Sequence, residues 1–325
     1  MKYSNILITG GAGFIGSNLS YYFVNKGYKV RCIDNLATGK KSNIEALMEH
    51  ENFEFIEGDI RDYNFCLDAT KGIEAILHQA ALGSVPRSID DPITTNSVNI
   101  TGFLNVLEAA RHSGVNRFVY AASSSTYGDH KALPKLEDNI GKPLSPYAVT
   151  KYANELYARV FKDLFEMEII GLRYFNVFGM NQDPDGAYAA AIPKFIKAFI
   201  EHRSPVIHGD GKQTRDFTYI DNVVEINELA LLTENESAFG EVFNVAYGER
   251  TSVNDIVIKI KELLSEYDKA ISDVELDYAA PRMGDVKHSL ASIDKARSIL
   301  GYNPKYSVLE GLERALEWYW NDLKQ

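Results

Sequence analysis

The chain has 325 residues, a formal net charge of −11 and 45% hydrophobic residues. That length suits one large domain or two smaller ones, and the acidic balance excludes the basic footprint of a nucleic-acid binder. No run of about 18 apolar residues occurs, which excludes a membrane-spanning helix.

Met1-Lys2-Tyr3-Ser4-Asn5 leads straight into an apolar run, without the apolar core of a signal peptide, so the cytoplasm is the expected compartment. Ile6-Leu7-Ile8 stops at glycines, as a buried parallel strand would. Residues 15–26 follow with a helical stripe of Ile15, Leu19, Tyr22 and Phe23, and Gly27 ends that helix. Lys29 to Asp34 reads as a second strand, Phe53 to Ile56 as a third, Ala75 to His78 as a fourth and Phe118 to Ala121 as a fifth. Cys32 lies within the second strand, so a buried thiol is expected rather than a disulfide with Cys66. Residues 99–112 read as a helix burying Phe103, Leu104, Val106, Leu107 and Ala110. A helix carrying Tyr147 and Lys151 comes next, then a strand at Glu168 to Arg173. Strands alternating with helices at this spacing predict an α/β fold, a Rossmann-type doubly wound parallel sheet covered on both faces.

After about residue 176 the pattern becomes shorter and mixed. Helices are expected at 189–202, 253–266 and 308–323, and strands at 206–208 and 242–245. We expect residues 1–176 to form the dinucleotide-binding domain and 177–325 a smaller mixed α/β substrate domain. Segments near 215–245 are expected to return to the first.

The glycines of Thr9-Gly10-Gly11-Ala12-Gly13-Phe14-Ile15-Gly16 sit between a strand and a helix, the context that makes such a turn informative. Gly10 permits the tight turn, Gly13 lets the backbone approach a pyrophosphate, and Gly16 allows close packing. Phe14 and Ile15 then open a helix whose N–H groups face an anion. Asp34 stands at the end of the second strand, where a carboxylate accepts both ribose hydroxyls and repels a 2′-phosphate, favouring NAD over NADP. Asp59 and Ile60 follow the third strand and are expected near the adenine. Gln79, Ala80 and Ala81 follow the fourth and are expected along the pyrophosphate and nicotinamide ribose.

Tyr147 and Lys151 are four residues apart, so on a helix they share a face. A free tyrosine has a pKa of about 10, and a working base at neutral pH needs roughly 4 kcal/mol of preferential stabilisation of its anion. One ammonium on the same face and one oxidised nicotinamide are the expected sources. Ser123, Ser124 and Ser125 end the fifth strand, where a hydroxyl can meet the reacting oxygen. No metal site is expected.

These stretches resemble the extended short-chain dehydrogenases/reductases that act on nucleotide sugars, most of all the bacterial UDP-N-acetylglucosamine 4-epimerases of polysaccharide assembly. The resemblance runs through Thr9 to Gly16, Asp34 to Gly39, Gln79 to Ser88, Ala122 to Gly128, Ser145 to Lys151, Leu172 to Gly179 and Gly209 to Phe217. It implies that Ser123, Tyr147 and Lys151 are catalytic, and that Asn35 and Gly39 join the cofactor set. It implies C4 epimerisation through a 4-keto sugar, with Tyr147 taking the O4 proton and NAD regenerated in each cycle. For the UDP-sugar it implies Asn176, Arg215 and Arg282 at the diphosphate. Ala190, Ile207, His208 and Gly209 would line the uridine pocket, Asp285 would meet its ribose, and Gly83, Ser84 and Gln182 would surround an acetamido group. Ser289 falls at the gatekeeper position, where a small residue leaves room for that group. UDP-GlcNAc and UDP-GalNAc are therefore the expected substrates, their uronic acids a further option. A homodimer through a four-helix bundle of 99–112 and 147–165 is also implied, with Tyr152, Tyr157 and Phe161 as candidate contacts.

The alternatives are a UDP-glucose/UDP-galactose or UDP-glucuronate 4-epimerase, or a catalytically silent NAD-binding sensor. A 4,6-dehydratase needs an Asp-Glu pair after the catalytic Ser/Thr, where this chain has Ser124-Ser125. A UDP-glucuronate decarboxylase needs further residues at C6 that the sequence does not identify.

Overall fold

The computed structural model describes residues 2–185, 190–280 and 287–324. At its centre lies a seven-stranded sheet whose neighbouring strands all run parallel. The strands are β1 (Asn5–Thr9), β2 (Lys29–Asp34), β3 (Phe53–Glu57), β4 (Ala75–His78), β5 (Arg117–Ser123), β6 (Glu168–Tyr174) and β7 (Val242–Val245). Ile6, Leu7 and Ile8 are wholly buried, as are Ile76, Leu77, Phe118 and Val119. Such strands face no water on either side, which is why the sequence shows continuous apolar runs rather than alternation.

The order across the sheet is β3-β2-β1-β4-β5-β6-β7. The chain steps outward from β1 to β3, then returns to β1's other side with β4. The ends of β1 and β4 therefore face a crevice at a topological switch point, where such sheets bind ligands. β7 lies far along the chain yet pairs with β6, Phe243 opposite Leu172.

Three helices set the site. Phe14–Asn25 buries Leu19 and Phe23 and sends the Tyr22 hydroxyl to Glu228 at 2.6 Å. Pro146–Phe165 starts at Ser145, whose Oγ accepts the Ala148 amide at 3.1 Å, with Pro146 at the first helical position; such a cap contributes about 1 kcal/mol. The third departs from the sequence reading. Residues 97–102 form a π-helical turn before Phe103–His112, and two short helices, Val85–Asp90 and Pro92–Asn96, precede it. Pro86 and Pro92 each open one of the short helices, since proline is tolerated in a first turn but not within a helix.

Beyond the sheet, Val206–His208 pairs with Asp277–Ala279, and Thr214–Arg215 pairs antiparallel with Thr251–Ser252. Helix Ala191–Ile200 is shorter than the expected 189–202, and Ala189 lies outside the described residues. Helices Val253–Tyr267 and Val308–Leu323 stand where the sequence places them. Among the described residues, no helix is long and apolar enough to cross a membrane.

One apolar surface is left uncovered. Val149, Leu156, Val160 and Leu164 project from helix Pro146–Phe165, and Ile89 and Ile93 stand on the short helices packed beside it; all six are at least half exposed or nearly so. Tyr157 lies on the same surface, whereas Phe161 is buried in the core with Ala158, Met167 and Ile169.

Candidate active site

The glycine turn is built to a tolerance that only glycine meets. Gly10 has φ +65°, and a Cβ there would stand 2.7 Å from the backbone of Ala80. A Cβ on Gly16 would stand 2.1 Å from the Gly10 carbonyl oxygen, so Gly16 lets the helix start against the turn itself. A Cβ on Gly13 would meet only the Gly10 oxygen, at 3.2 Å. Its other side is open, as a close approach by a ligand requires. No side chain caps the helix that begins at Phe14, so its first N–H groups remain available to an anion.

A cavity of about 340 Å³ runs from this turn across the sheet's switch point. Gly10, Gly13, Phe14, Ile15, Gly16, Asp34 and Asn35 line one part, and Gln79, Ala80, Ala81, Leu82 and Gly83 another. The Asp34 carboxylate accepts the Ala12 amide at 3.0 Å and the Leu36 amide at 2.8 Å. Burial holds its pKa above the ordinary value against those bonds. Gly39 packs against it, since a Cβ there would be 2.8 Å from Oδ2. Asp59 is tied up: its oxygens pair with Arg61 at 2.6 and 3.0 Å and accept from Asn35 at 2.8 Å. The Arg61 bond is the main reason its pKa falls to about 2. Ile60 and Arg61, not the Asp59 side chain, line the cavity. A glycine cradle, an open helix end and a carboxylate at the end of β2 together fit a dinucleotide.

β5 ends at Ser123. Its Oγ accepts from the Ser125 amide at 3.2 Å and the Ser125 hydroxyl at 2.9 Å, leaving its own proton to donate elsewhere. Ser123 acts on Tyr147 to lower the phenol's pKa, but burial is the larger cause and holds it above its ordinary value. Ser124 begins the short turn Ser124–Tyr127 and is half-buried. One helical turn beyond Tyr147, Lys151 is buried, with Nζ 6.0 Å from the Tyr147 ring centre and donating to the Ala121 carbonyl at 2.8 Å. Burial lowers its pKa to about 8, opposed by the charge of Glu155.

Beneath the pair lies a buried ionic layer. Glu155 binds Arg173 through two contacts of 2.7 and 2.8 Å, and Arg173 also donates to the Glu137 carbonyl at 2.8 Å. His78 is wholly desolvated, accepts or donates at Thr9 Oγ1 over 2.9 Å, and is pushed down to about 3, first by burial and then by Lys151. It is neutral at any working pH.

Asn99 escaped the sequence reading. It sits in the π-helical turn, a feature frequent at functional sites. Its Oδ1 accepts the Leu82 amide at 2.8 Å, and its Nδ2 donates to the Leu82 carbonyl at 3.1 Å and to Thr150 Oγ1 at 3.2 Å. It thus ties the cavity wall to the Tyr147 helix. An asparagine inside an amphipathic stretch reads as a surface residue; only the irregular turn reveals it.

A second cavity, about 670 Å³, opens beside helix Ala191–Ile200. Asn176, Gln182, Ala190, His208 and Arg215 line it. Arg215 donates to the Thr214 carbonyl at 2.9 Å and the Lys287 carbonyl at 3.4 Å. Asn176 has φ +37° and donates to the Asp216 carbonyl at 3.0 Å. Ile207 is wholly buried in the core, whereas its strand neighbours Val206 and His208 line the cavity. Gly209 ends that strand with φ +82° and donates its amide to Ala279 at 2.9 Å. Gly83 lies on the first cavity, and Ser84, at φ +96°, caps the helix that follows it. The Ser289 amide bonds the Thr214 carbonyl at 3.0 Å, beside Arg215 but not on the cavity wall. Arg282 and Asp285 lie outside the described residues.

Comparison with known proteins gives the family. The model of the NAD dependent epimerase/dehydratase family matches residues 6–246. The putative UDP-glucose 4-epimerase of Methanocaldococcus jannaschii is 38% identical over 321 residues, 98% of this chain and 99% of its own. The solved UDP-N-acetylglucosamine 4-epimerase of Methanobrevibacter ruminantium M1, in complex with UDP-N-acetylmuramic acid, superposes with a TM-score of 0.92 at 35% identity, over 99% of this chain and 100% of that one. The UDP-glucuronic acid 4-epimerase of Bacillus cereus, solved with UDP-glucuronic acid and NAD, gives 0.87 at 34% identity, over 97% and 98%.

Proposed function

This chain belongs to the NAD dependent epimerase/dehydratase family, among UDP-sugar 4-epimerases that work with NAD, and we propose that its own substrates are the UDP-N-acetylhexosamines UDP-GlcNAc and UDP-GalNAc. The reading rests on Ser289. Its amide is fixed to the Thr214 carbonyl, next to an arginine suited to bidentate contact with a phosphate. Ser289 stands beside the cavity rather than on its wall, at the position where a hydroxymethyl would leave room for a 2-acetamido group and a tyrosine would reach in to take it. The likeness to the Methanobrevibacter ruminantium enzyme supports the same choice.

Each part of the site then has a task. Gly10, Gly13, Phe14, Ile15 and Gly16 hold the pyrophosphate of NAD, Asp34 and Asn35 its adenosine side, and Gln79, Ala80 and Ala81 its other half. Bound NAD supplies the reversible hydride acceptor that C4 inversion needs. Tyr147 takes the O4 proton and later returns one. Ser123, whose Oγ already accepts twice from Ser125, donates its proton to the oxygen that changes between alcohol and ketone. Lys151 places a positive charge where tyrosinate forms. Asn176 and Arg215 hold the diphosphate while the 4-keto sugar turns to present its other face.

The uronic acid sugars form the second reading, favoured by the 34% identity to the Bacillus cereus enzyme. The test is direct: incubate the protein with UDP-GlcNAc, the uronic acid of UDP-GlcNAc, UDP-glucuronic acid and UDP-glucose separately, and identify products by NMR. Epimerisation of UDP-GlcNAc as the fastest reaction supports the reading, and clear preference for an unacetylated sugar overturns it. A homodimer through the exposed Val149, Leu156, Val160 and Leu164 surface is part of the same proposal. Phe161, buried in its own core, takes no part in that contact.

A further inference from the structure

Arg215 is only as well placed as the backbone it rests on. Thr214 and Arg215 lie between two other segments. On one side they pair with Thr251–Ser252. On the other, the Thr214 amide donates to the Lys287 carbonyl at 3.1 Å, and the Ser289 amide donates back to Thr214 at 3.0 Å. The guanidinium itself leans on the carbonyls of Thr214 and Lys287. What fixes these two flanks is the next residue, Asp216.

Asp216 is wholly buried, yet among the described residues no Lys, Arg or His bonds its carboxylate. It is held by backbone amides instead. Oδ1 accepts from Tyr247 and Gly248, each at 3.2 Å, and Oδ2 accepts from Ala291 at 3.2 Å. Tyr247 and Gly248 precede the Thr251–Ser252 strand, and Ala291 follows Ser289. One carboxylate therefore grips both flanks of Arg215. Its main-chain carbonyl also accepts from Asn176 at 3.0 Å, so the second cavity-facing polar side chain depends on it too. A buried charge without a cation is costly, and burial raises this one to about 6.

We propose that Asp216 is a positioning residue for the diphosphate end of the substrate, setting where Arg215 and Asn176 face the cavity and where Ser289 stands beside them. The role deepens the UDP-sugar reading and rests on it. Asp216→Asn keeps the shape but replaces one accepting oxygen with an NH₂ group, which confronts an amide donor at Ala291 or at Tyr247 and Gly248. Relieving that clash moves a flank of Arg215, and a weakened hydrogen bond from a displaced guanidinium to the diphosphate corresponds to about a tenfold loss of ligand affinity.

The test uses the full chain loaded with NAD and titrated with UDP in a calorimeter, alongside turnover of UDP-GlcNAc. Asp216→Asn should weaken UDP about tenfold and raise KM by a similar factor, with kcat and bound NAD retained. In an Arg215→Ala background the same change should add little further loss. Ala291→Pro, which deletes the amide given to Oδ2 and also fixes φ there, serves where Asp216→Asn does not accumulate folded, and should weaken UDP in the same direction. Unchanged UDP affinity with a lowered melting temperature would make Asp216 a purely structural tie and overturn the role, as would loss of NAD together with UDP. Wild-type protein that ignores UDP would remove the UDP-sugar reading itself, and the positioning role with it.

Discussion

The Ser125 hydroxyl donates to Ser123 Oγ at 2.9 Å while the Ser125 amide donates to the same oxygen at 3.2 Å. Two bonds into one oxygen fix the Ser123 rotamer and direct its own proton away from Ser125. That proton is left free to meet the sugar oxygen when one is bound. Ser123→Ala should therefore cost roughly 100-fold or more in kcat, the scale of losing one aimed donor. Ser125→Ala should cost much less, because the amide bond persists. Turnover of UDP-GlcNAc by both variants checks the order; equal losses would refute the donor role of Ser123.

The pH profile should bend at Lys151. Its ammonium is needed to favour tyrosinate, and burial lowers its pKa to about 8. As pH rises through about 8 the proton leaves and kcat/KM should fall. Glu155 is the charge that opposes this shift, so Glu155→Gln should move the alkaline limb to lower pH. A limb that stays in place in Glu155→Gln would separate it from Lys151. The phenol shifts the other way: burial holds Tyr147 protonated. Phenolate absorbance at neutral pH should thus be absent without NAD, since Lys151 alone does not reverse the order of the two groups.

Much of this site is legible in the sequence because the signals are local. β2 and β4 run over the expected residues, and β1, β3, β5 and β6 extend each expected run by one to three residues; the buried strands β1, β4 and β5 show as apolar runs. The glycines and Tyr147-Lys151 declare themselves by spacing. What stayed hidden depends on distance or parity. The pairing of β7 with β6, some 70 residues upstream, is one such case, because nothing in a four-residue apolar run names its neighbour. Ile207 belongs to a short strand whose alternation puts Val206 and His208 on the cavity and Ile207 in the core, a phase that sequence alone leaves open. Arg61 competes for the Asp59 carboxylate, and Asp216 acts through amides from two remote segments.

Ser289→Tyr tests the gatekeeper. Filling the space beside Thr214 and Arg215 should depress kcat/KM for UDP-GlcNAc by roughly tenfold or more while sparing UDP-glucose. Parallel assays of the two sugars read the ratio, and an unchanged ratio would refute the idea that this position sets acetamido preference.

The uncovered apolar surface makes a prediction of its own. Leu156 and Leu164 are 53% and 68% exposed on one helix, and a stable dimer must bury roughly 800 Å² per partner. Light scattering should find a dimer for the wild type and a monomer for Leu156→Asp/Leu164→Asp. A wild-type monomer at micromolar concentration would contradict the bundle.

The central claim is that the Tyr147 phenol is the base for a nucleotide-linked sugar, and one measurement meets it head-on. NAD-loaded Tyr147→Phe is incubated with UDP-GlcNAc, and the C4 epimer is followed by proton NMR, with UDP-GlcNAc binding measured in parallel. Turnover lowered by about 10²- to 10⁴-fold with binding intact is the predicted result. Epimer formation at close to the wild-type rate would contradict it.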